Sequence, residues 1–252
     1  MQVKGNLVVS FSGGKDSTAM LLMLLEKGYK IHSVVTFETG WEHPEVLRHM
    51  ELVEKRTGIE IVRLKPPKPF EWYMYKKPVV ARAGPLKGKV YRYGYGWPTA
   101  RNRWCTRLKV KALWRYVEAI PGAIDCQGMA ADERRRTYGV MLEEYHPVHI
   151  WFPLCEWGIT EADALEYCFK KGYHWDGLYK HLSRVGCYCC PFRSKRELKI
   201  IRRWCPNEWK KMLKMDNHPA CTASKFHKDK TLRDIERDFR RARRRKRPKQ
   251  GV

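Results

Sequence analysis

The 252-residue sequence predicts an α/β protein: a doubly wound parallel sheet, Rossmann-like, with a C-terminal cysteine-rich helical subdomain and a basic tail. Three observations carry this. Short apolar, β-branched runs alternate with stretches of helical spacing through the first half of the chain. The first of these runs stops at a glycine turn that opens a helix. A C-x-x-C pair and most of the excess positive charge fall beyond residue 185.

Taken in order, Leu7 to Phe11 reads as a buried parallel strand. Ser12-Gly13-Gly14 follows as a turn in which glycine tolerates positive φ and leaves room for backbone N–H groups to close on an anion. Asp16 or Ser17 is positioned to cap the next helix, which runs through Ala19 to Leu25 and stops at Gly28. Strand, glycine turn and helix N-terminus together make a phosphate site. Ile31 to Phe37 reads as the second strand, Pro44 to Arg56 as a helix with Val46, Leu47, Met50 and Val53 on one face, and Ile59 to Leu64 as the third strand. Ala123 to Gly128 reads as the fourth strand and His149 to Leu154 as another. Thr160-Glu161-Ala162-Asp163 and Thr231-Leu232-Arg233-Asp234 are capping-box starts, and Ser194 to Arg203 and Asn207 to Met215 are two short helices. The expected domains are a nucleotide-binding domain over 1–155 with an insertion at 66–100, a helical cysteine-rich part over 156–228, and a basic helix or tail over 229–252.

Composition narrows the class. A formal charge of +24 predicts attraction to polyanions, and 43% hydrophobic residues exclude a disordered chain. No apolar run approaches a membrane span and no signal-peptide pattern opens the sequence, so a cytoplasmic protein with no membrane partner is expected, its nine cysteines kept as thiols or ligands.

The spacing of Ser12-Gly13-Gly14-Lys15-Asp16-Ser17 excludes a Walker loop, which needs four residues between its glycines. The string instead resembles the pyrophosphate loop of the N-type ATP pyrophosphatases. Glu38-Thr39-Gly40-Trp41-Glu42-His43-Pro44-Glu45 is similar to the D-T-G-x-x-x-P-E loop of the phosphoadenosine-phosphosulfate (PAPS) reductase family, with glutamate for aspartate. Arg103-Trp104-Cys105-Thr106-Arg107-Leu108-Lys109 resembles that family's R-W-C-T-x-x-L-K segment. Gly128-Met129-Ala130-Ala131-Asp132-Glu133-Arg134-Arg135-Arg136 resembles its G-x-R-x-D-E-S-x-x-R, with Ala130 for arginine and Arg134 for serine. The resemblance runs from Val8 to about Met215 and implies an adenine nucleotide alpha hydrolase-like fold.

It also implies site residues. Lys15 and Asp16 would be catalytic, Lys15 neutralising pyrophosphate and Asp16 fixing the loop or a Mg²⁺. Ser10, Ser12, Gly13, Gly14, Ser17, Glu38, Thr39, Gly40, Arg103, Lys109, Gly128, Asp132, Glu133 and Arg136 would surround ATP. Cys187 and Cys190, a C-x-x-C pair before Pro191, would join Cys105 and Cys205 around a [4Fe–4S] cluster, with Zn²⁺ as the alternative metal. Cys189 competes for the fourth place and Cys221 more weakly; buried thiols without metal are the plain alternative. Cys126, Cys155 and Cys168 read as core.

Pro66 to Thr99 breaks the α/β rhythm with aromatics interleaved among Lys and Arg. Two readings stand open: a surface that stacks bases while neutralising phosphates, or a hairpin packed down through its rings. Residues 191–252 carry 22 Lys and Arg against 7 Asp and Glu, and Arg240 to Lys249 holds eight of them, a density suited to nucleic-acid backbone, tRNA or DNA.

Three functions follow. A PAPS or adenylyl sulfate reductase needs a mobile cysteine, typically in an E-C-G-[LI]-H string, which this sequence does not carry. An enzyme that adenylates an acceptor with ATP, opening it to sulfur, uses the intact glycine loop and is the favoured reading. A nucleotide-binding accessory protein without turnover is the third.

Overall fold

The computed structural model describes residues 5–133, 149–221, 225–227 and 229–245. The chain falls into two compact units, the first formed by residues 1–66 and 107–186, the second by 67–106 and 187–252.

The first unit is built on five parallel strands: β1 (Asn6–Ser10), β2 (Ile31–Phe37), β3 (Ile61–Leu64), β6 (Ala123–Gln127) and β7 (His149–Trp151). Their order is β3-β2-β1-β6-β7, so the chain winds to one side of β1 and then to the other. Leu7, Val8 and Val9 are consecutive and all buried, which requires cover on both faces of the sheet and explains why β1 reads as an unbroken apolar run. Val8 and Val35 pack with Leu113 and Val117 of α4 (Trp104–Glu118), flanked by Val62, Leu64 and Tyr116. Helix α1 (Lys15–Glu26) buries Ala19, Met20, Leu21 and Leu24, and α2 (Pro44–Thr57) buries Val46, Met50 and Val53 before closing on Gly58 at φ +70°.

Two local expectations change. Neither Asp16 nor Ser17 caps α1: the helix begins at Lys15, with Gly14 as its extended N-cap and no side-chain cap bond. The strand expected over His149 to Leu154 ends at Trp151, because Pro153 takes the first position of a short helix, α5 (Pro153–Glu156), for which its fixed φ and missing N–H are suited. Thr160 caps α6 (Glu161–Lys170) in a capping box with Asp163.

The second unit holds α3 (Phe70–Tyr75), the antiparallel hairpin β4 (Pro78–Val80) and β5 (Val90–Tyr93), and helices α7 (Lys195–Trp204), α8 (Pro206–Asp216) and α9 (Leu232–Arg245). Ser194 and Glu197 form the capping box of α7. Trp97, fully buried, donates from its indole to Asp216 at 2.9 Å and meets Phe226 edge to face.

Candidate functional site

The turn after β1 lies at the carboxyl end of the central strand, beside the β1/β6 boundary where the winding reverses. Open parallel sheets bind ligands at this switch point. Gly13 is at φ +71°, and a Cβ there would stand 2.6 Å from the Met50 side chain and 2.8 Å from Val46. Both the backbone angle and the space demand glycine. Ser17 ties the turn together: its hydroxyl accepts from the Ser12 N–H at 3.2 Å and donates to the Gly14 carbonyl at 3.1 Å. The carboxyl end of β6 closes in from the neighbouring strand. A Cβ on Gly128 would lie 2.9 Å from the Ser17 backbone, so this glycine permits the turn after β6 to touch the first turn of α1.

Lys15 is buried, and its ammonium donates to Glu161 Oε2 at 2.7 Å and to both Asp16 carboxylate oxygens at 2.9 and 3.0 Å. Burial alone would lower its pKa; Glu161 and Asp16 outweigh that and raise it, so the side chain stays a cation. Burial pushes the Asp16 carboxyl up, partly offset by Lys15. Asp132 supports this corner by accepting the Glu161 backbone N–H at 3.1 Å, and Glu133 adds negative charge beside Asp16.

A segment that local spacing did not single out holds the glycine turn from outside. The Trp175 indole donates to the Gly13 carbonyl at 2.7 Å, and the Tyr179 hydroxyl accepts the Lys15 N–H at 2.8 Å. Burial raises the Tyr179 pKa, keeping the phenol protonated. Trp175, Asp176 and Gly177 have φ of 45°, 48° and 81°, three consecutive left-handed residues of which two are not glycine. Asp176 is held by Arg48 at 2.7 Å. Trp175 also stacks on His49 at 4.1 Å between ring centroids, and His49 in turn bonds Thr18 at 2.8 Å. Burial, with the Arg56 charge adding, drives the His49 pKa down to about 3. Glu161, Trp175 and Tyr179 therefore join the candidate site. The one signal in the sequence was the aromatic-rich run Tyr173-His174-Trp175-Asp176-Gly177-Leu178-Tyr179 with its Asp-Gly turn.

Ser10 lies at the end of β1 and donates to buried Asp125 at 2.7 Å. Glu38 pairs with Arg63 at 3.1 Å and Lys65 at 3.6 Å, while the N–H groups of Thr39 and Gly40 donate to the Glu42 carboxylate, each at 2.9 Å. That loop is thus braced by its own glutamate. Lys109 is half-buried on α4; Arg103 belongs to the second unit, where its guanidinium lies 4.8 Å from the Phe192 ring centre. Arg136 lies outside the described residues.

Cys105, Cys187, Cys190 and Cys205 all belong to the second unit. Cys190 donates its N–H to the Cys187 carbonyl at 3.3 Å, closing the turn. Burial raises the Cys105 thiol, with Cys190 contributing. Burial raises fully enclosed Cys189 well above the ordinary thiol value, with Cys187, Cys190 and Cys105 adding to it. Four thiols therefore share one neighbourhood. Cys205 stands buried at the head of α8. Among the described residues no three His, Cys, Asp or Glu side chains are drawn close enough to hold a single metal ion. The donor chemistry fits a thiolate-bound cluster, whose several irons do not ask four sulfurs to meet at one point. Cys126 and Cys168 are buried and Cys155 half-buried; Cys168 donates to the Lys15 carbonyl at 3.4 Å, its pKa pushed up by burial to about 12.

Fold and loop define an α/β protein with a helix-opening glycine turn at a sheet switch point. The phosphoadenosine phosphosulfate reductase domain matches residues 6–193, and the chain belongs to that family. It is 28% identical over 225 residues to the uncharacterized protein MJ0066 of Methanocaldococcus jannaschii, covering 83% of this chain and 41% of that protein, so it spans about two fifths of that relative's length. Among solved structures it is similar to the U34-tRNA thiolase NcsA from Methanococcus maripaludis with its [4Fe–4S] cluster. That likeness has a TM-score of 0.44 at 16% identity, over 100% of this chain and 76% of that one. No helix among the described residues is long and apolar enough to cross a membrane.

Proposed function

We propose that this protein is an ATP pyrophosphatase of the adenylyl-transfer type that activates an acceptor in nucleic acid, tRNA or DNA, for substitution by sulfur. The observation that carries the reading is the intact Ser12-Gly13-Gly14-Lys15-Asp16-Ser17 turn on the N-terminus of α1, at the carboxyl end of β1. An acceptor oxygen attacks the α-phosphorus of ATP, the bond to the bridging α–β oxygen breaks, and pyrophosphate leaves with the electron pair. The acceptor carbon then carries AMP as a leaving group. A sulfur nucleophile adds there and AMP departs. The chain's share is positioning and charge: backbone N–H groups and Ser12 and Ser17 hydroxyls receive the outer phosphates, and Lys15 neutralises them, handed over from Glu161 and Asp16. Asp16, released from Lys15, would hold Mg²⁺.

Cys105, Cys187 and Cys190, with Cys205 or Cys189 as the fourth thiolate, would hold a [4Fe–4S] cluster, which when bound supplies a thiophilic metal centre. Zn²⁺ is the alternative occupant. The experiment is release of pyrophosphate from α-labelled ATP with and without tRNA or DNA. Label transferred to AMP only when nucleic acid is present supports the reading; no cleavage of ATP under either condition overturns it.

The family's own description favours a second reading, reduction of phosphoadenosine phosphosulfate. Sulfite formed from that compound, with no ATP cleavage, would establish it instead.

A further inference from the structure

Within residues 66–100 the aromatic rings divide into a packed set and an exposed set. The rings at the base of the β4–β5 hairpin are packed: Phe70, Tyr73, Tyr75, Trp97 and Trp104 are buried, with Trp104 donating to the Gly96 carbonyl at 3.1 Å. The strand leaving the hairpin is pinned to α3, Tyr95 and Gly96 donating to the carbonyls of Tyr73 and Met74 at 2.9 Å. Gly94, at φ +74°, comes so close that a Cβ would fall 2.3 Å from the Met74 carbonyl oxygen. From that fixed base the hairpin presents apolar and aromatic surface outward: Val80, Leu86, Val90, Tyr91 and Tyr93 are exposed, Tyr93 to 64%.

Tyr91 and Tyr93 are two apart on β5 and so share a face of the ladder. Arg92 lies between them, its guanidinium 5.6 Å from the Tyr91 ring centre. Lys76, Arg82, Lys87 and Lys89 are exposed on the same stretch of chain. The sequence contains no Asp or Glu between Glu71 and Glu118. A stretch of open rings among cations, carrying no carboxylate of its own, is complementary to a polyanion that carries flat π faces. A protein partner would have to be both acidic and apolar over the same patch.

We propose that the β4–β5 hairpin is a stacking platform for unpaired bases of a nucleic-acid strand, with Tyr91 and Tyr93 as the stacking rings and the flanking lysines and arginines on its phosphates. The inference rests on the reading that the acceptor is nucleic acid and names the part of the chain that holds its unpaired segment. Single-stranded RNA and single-stranded DNA offer the same chemistry, so both serve as probes.

The test uses the full chain and a short fluorescent single strand, RNA in one arm and DNA in the other, beside a blunt duplex of the same sequence. Tyr91→Ala with Tyr93→Ala is expected to weaken single-strand binding about tenfold or more at fixed salt. It should leave the slope of affinity against salt and the duplex affinity unchanged, because the charges remain. Tyr91→Phe with Tyr93→Phe should restore binding, since the ring and not the hydroxyl does the stacking. A loss in both arms, or in either arm alone, supports the platform and defines which strand it takes. Unaltered single-strand affinity in the alanine pair, equal loss on duplex, or failure of the phenylalanine pair to restore binding overturns it. If the unaltered protein binds no nucleic acid at all, the acceptor reading falls too, which separates the two failures.

Discussion

Lys15 belongs to two systems: buried against Asp16 and Glu161 through its side chain, and bonded to Tyr179 through its N–H. A cation held by two carboxylates is ready for phosphate only if the exchange is nearly even in energy, which a phosphate's greater charge makes reasonable. The Tyr179 hydroxyl does for the first N–H of α1 what a capping side chain does elsewhere, since Gly14 has none to offer. Tyr179→Phe therefore leaves that donor without a partner. It should lower stability by about 1 kcal/mol without nucleotide, and saturating ATP should recover most of the loss because a phosphate oxygen takes the same N–H. Thermal midpoints of both proteins with and without ATP check this; an undiminished gap in ATP would mean that phosphate does not reach the Lys15 N–H. His49 adds a pH signature. Its unfolded imidazole gains a proton near 6.5 and its folded one only near 3, so the unfolded chain binds more protons between those values. Stability should fall as pH drops through that window, by roughly 1 kcal/mol per unit at the steepest. His49→Phe, which keeps a ring against Trp175, should flatten that part of the urea-unfolding profile.

Elements built from contiguous residues were legible before any contact was known. The β1 run, the glycine turn and α1 announce themselves because strand burial, positive φ and helix entry are all local requirements, and the Thr160 and Thr231 boxes likewise lie within four residues. Glu161 and Tyr179 were not legible as partners of Lys15, since they meet it across 146 and 164 residues and no spacing rule spans that distance. Nor was the division of the insertion into buried α3 rings and open β5 rings, because tyrosines stand in both and residue type does not say which of them pack. At α9 a strongly basic helix is anchored through the Glu236 carboxylate. Glu236 accepts from Arg202 at 2.6 and 2.9 Å, from Arg240 at 2.6 Å and from the Trp209 indole at 3.0 Å. Burial works to raise its pKa, but these donors win and bring it to about 2. Because the folded value is depressed, the stabilisation is whole above the ordinary value of 4.5 and is lost as pH falls toward 2. Glu236→Gln should remove that acid limb, worth about 3 kcal/mol at most, and lower stability at neutral pH; an unchanged acid limb would mean that the carboxylate does not anchor the helix.

For the whole molecule the governing quantity is charge. A surplus of +24 on 252 residues repels itself, which costs stability in the compact state and favours association with polyanions. The surplus is concentrated: residues 191–252 hold 22 Lys and Arg against 7 Asp and Glu, and within α9 the acidic residues lie toward its start, with Asp234 against Arg237 and Glu236 against Arg202 and Arg240. The basic residues from Arg243 onward come eight or more positions after the helix's buried anchors, Leu232 and Ile235. Both anchors and Glu236 are kept when those residues are removed. A chain ending at Ala242 should therefore unfold at the same denaturant midpoint, yet bind tRNA or duplex DNA more weakly at low salt and with a shallower fall in log affinity against log salt, each lost phosphate contact taking about 0.9 from the slope on a duplex. Because counterion release is blind to sequence, the loss should be equal for any duplex of the same length. A slope identical to that of the full chain would place the phosphate contacts elsewhere, on the basic stretch between Glu71 and Glu118, and would leave the C-terminal charge without a polyanion to offset it.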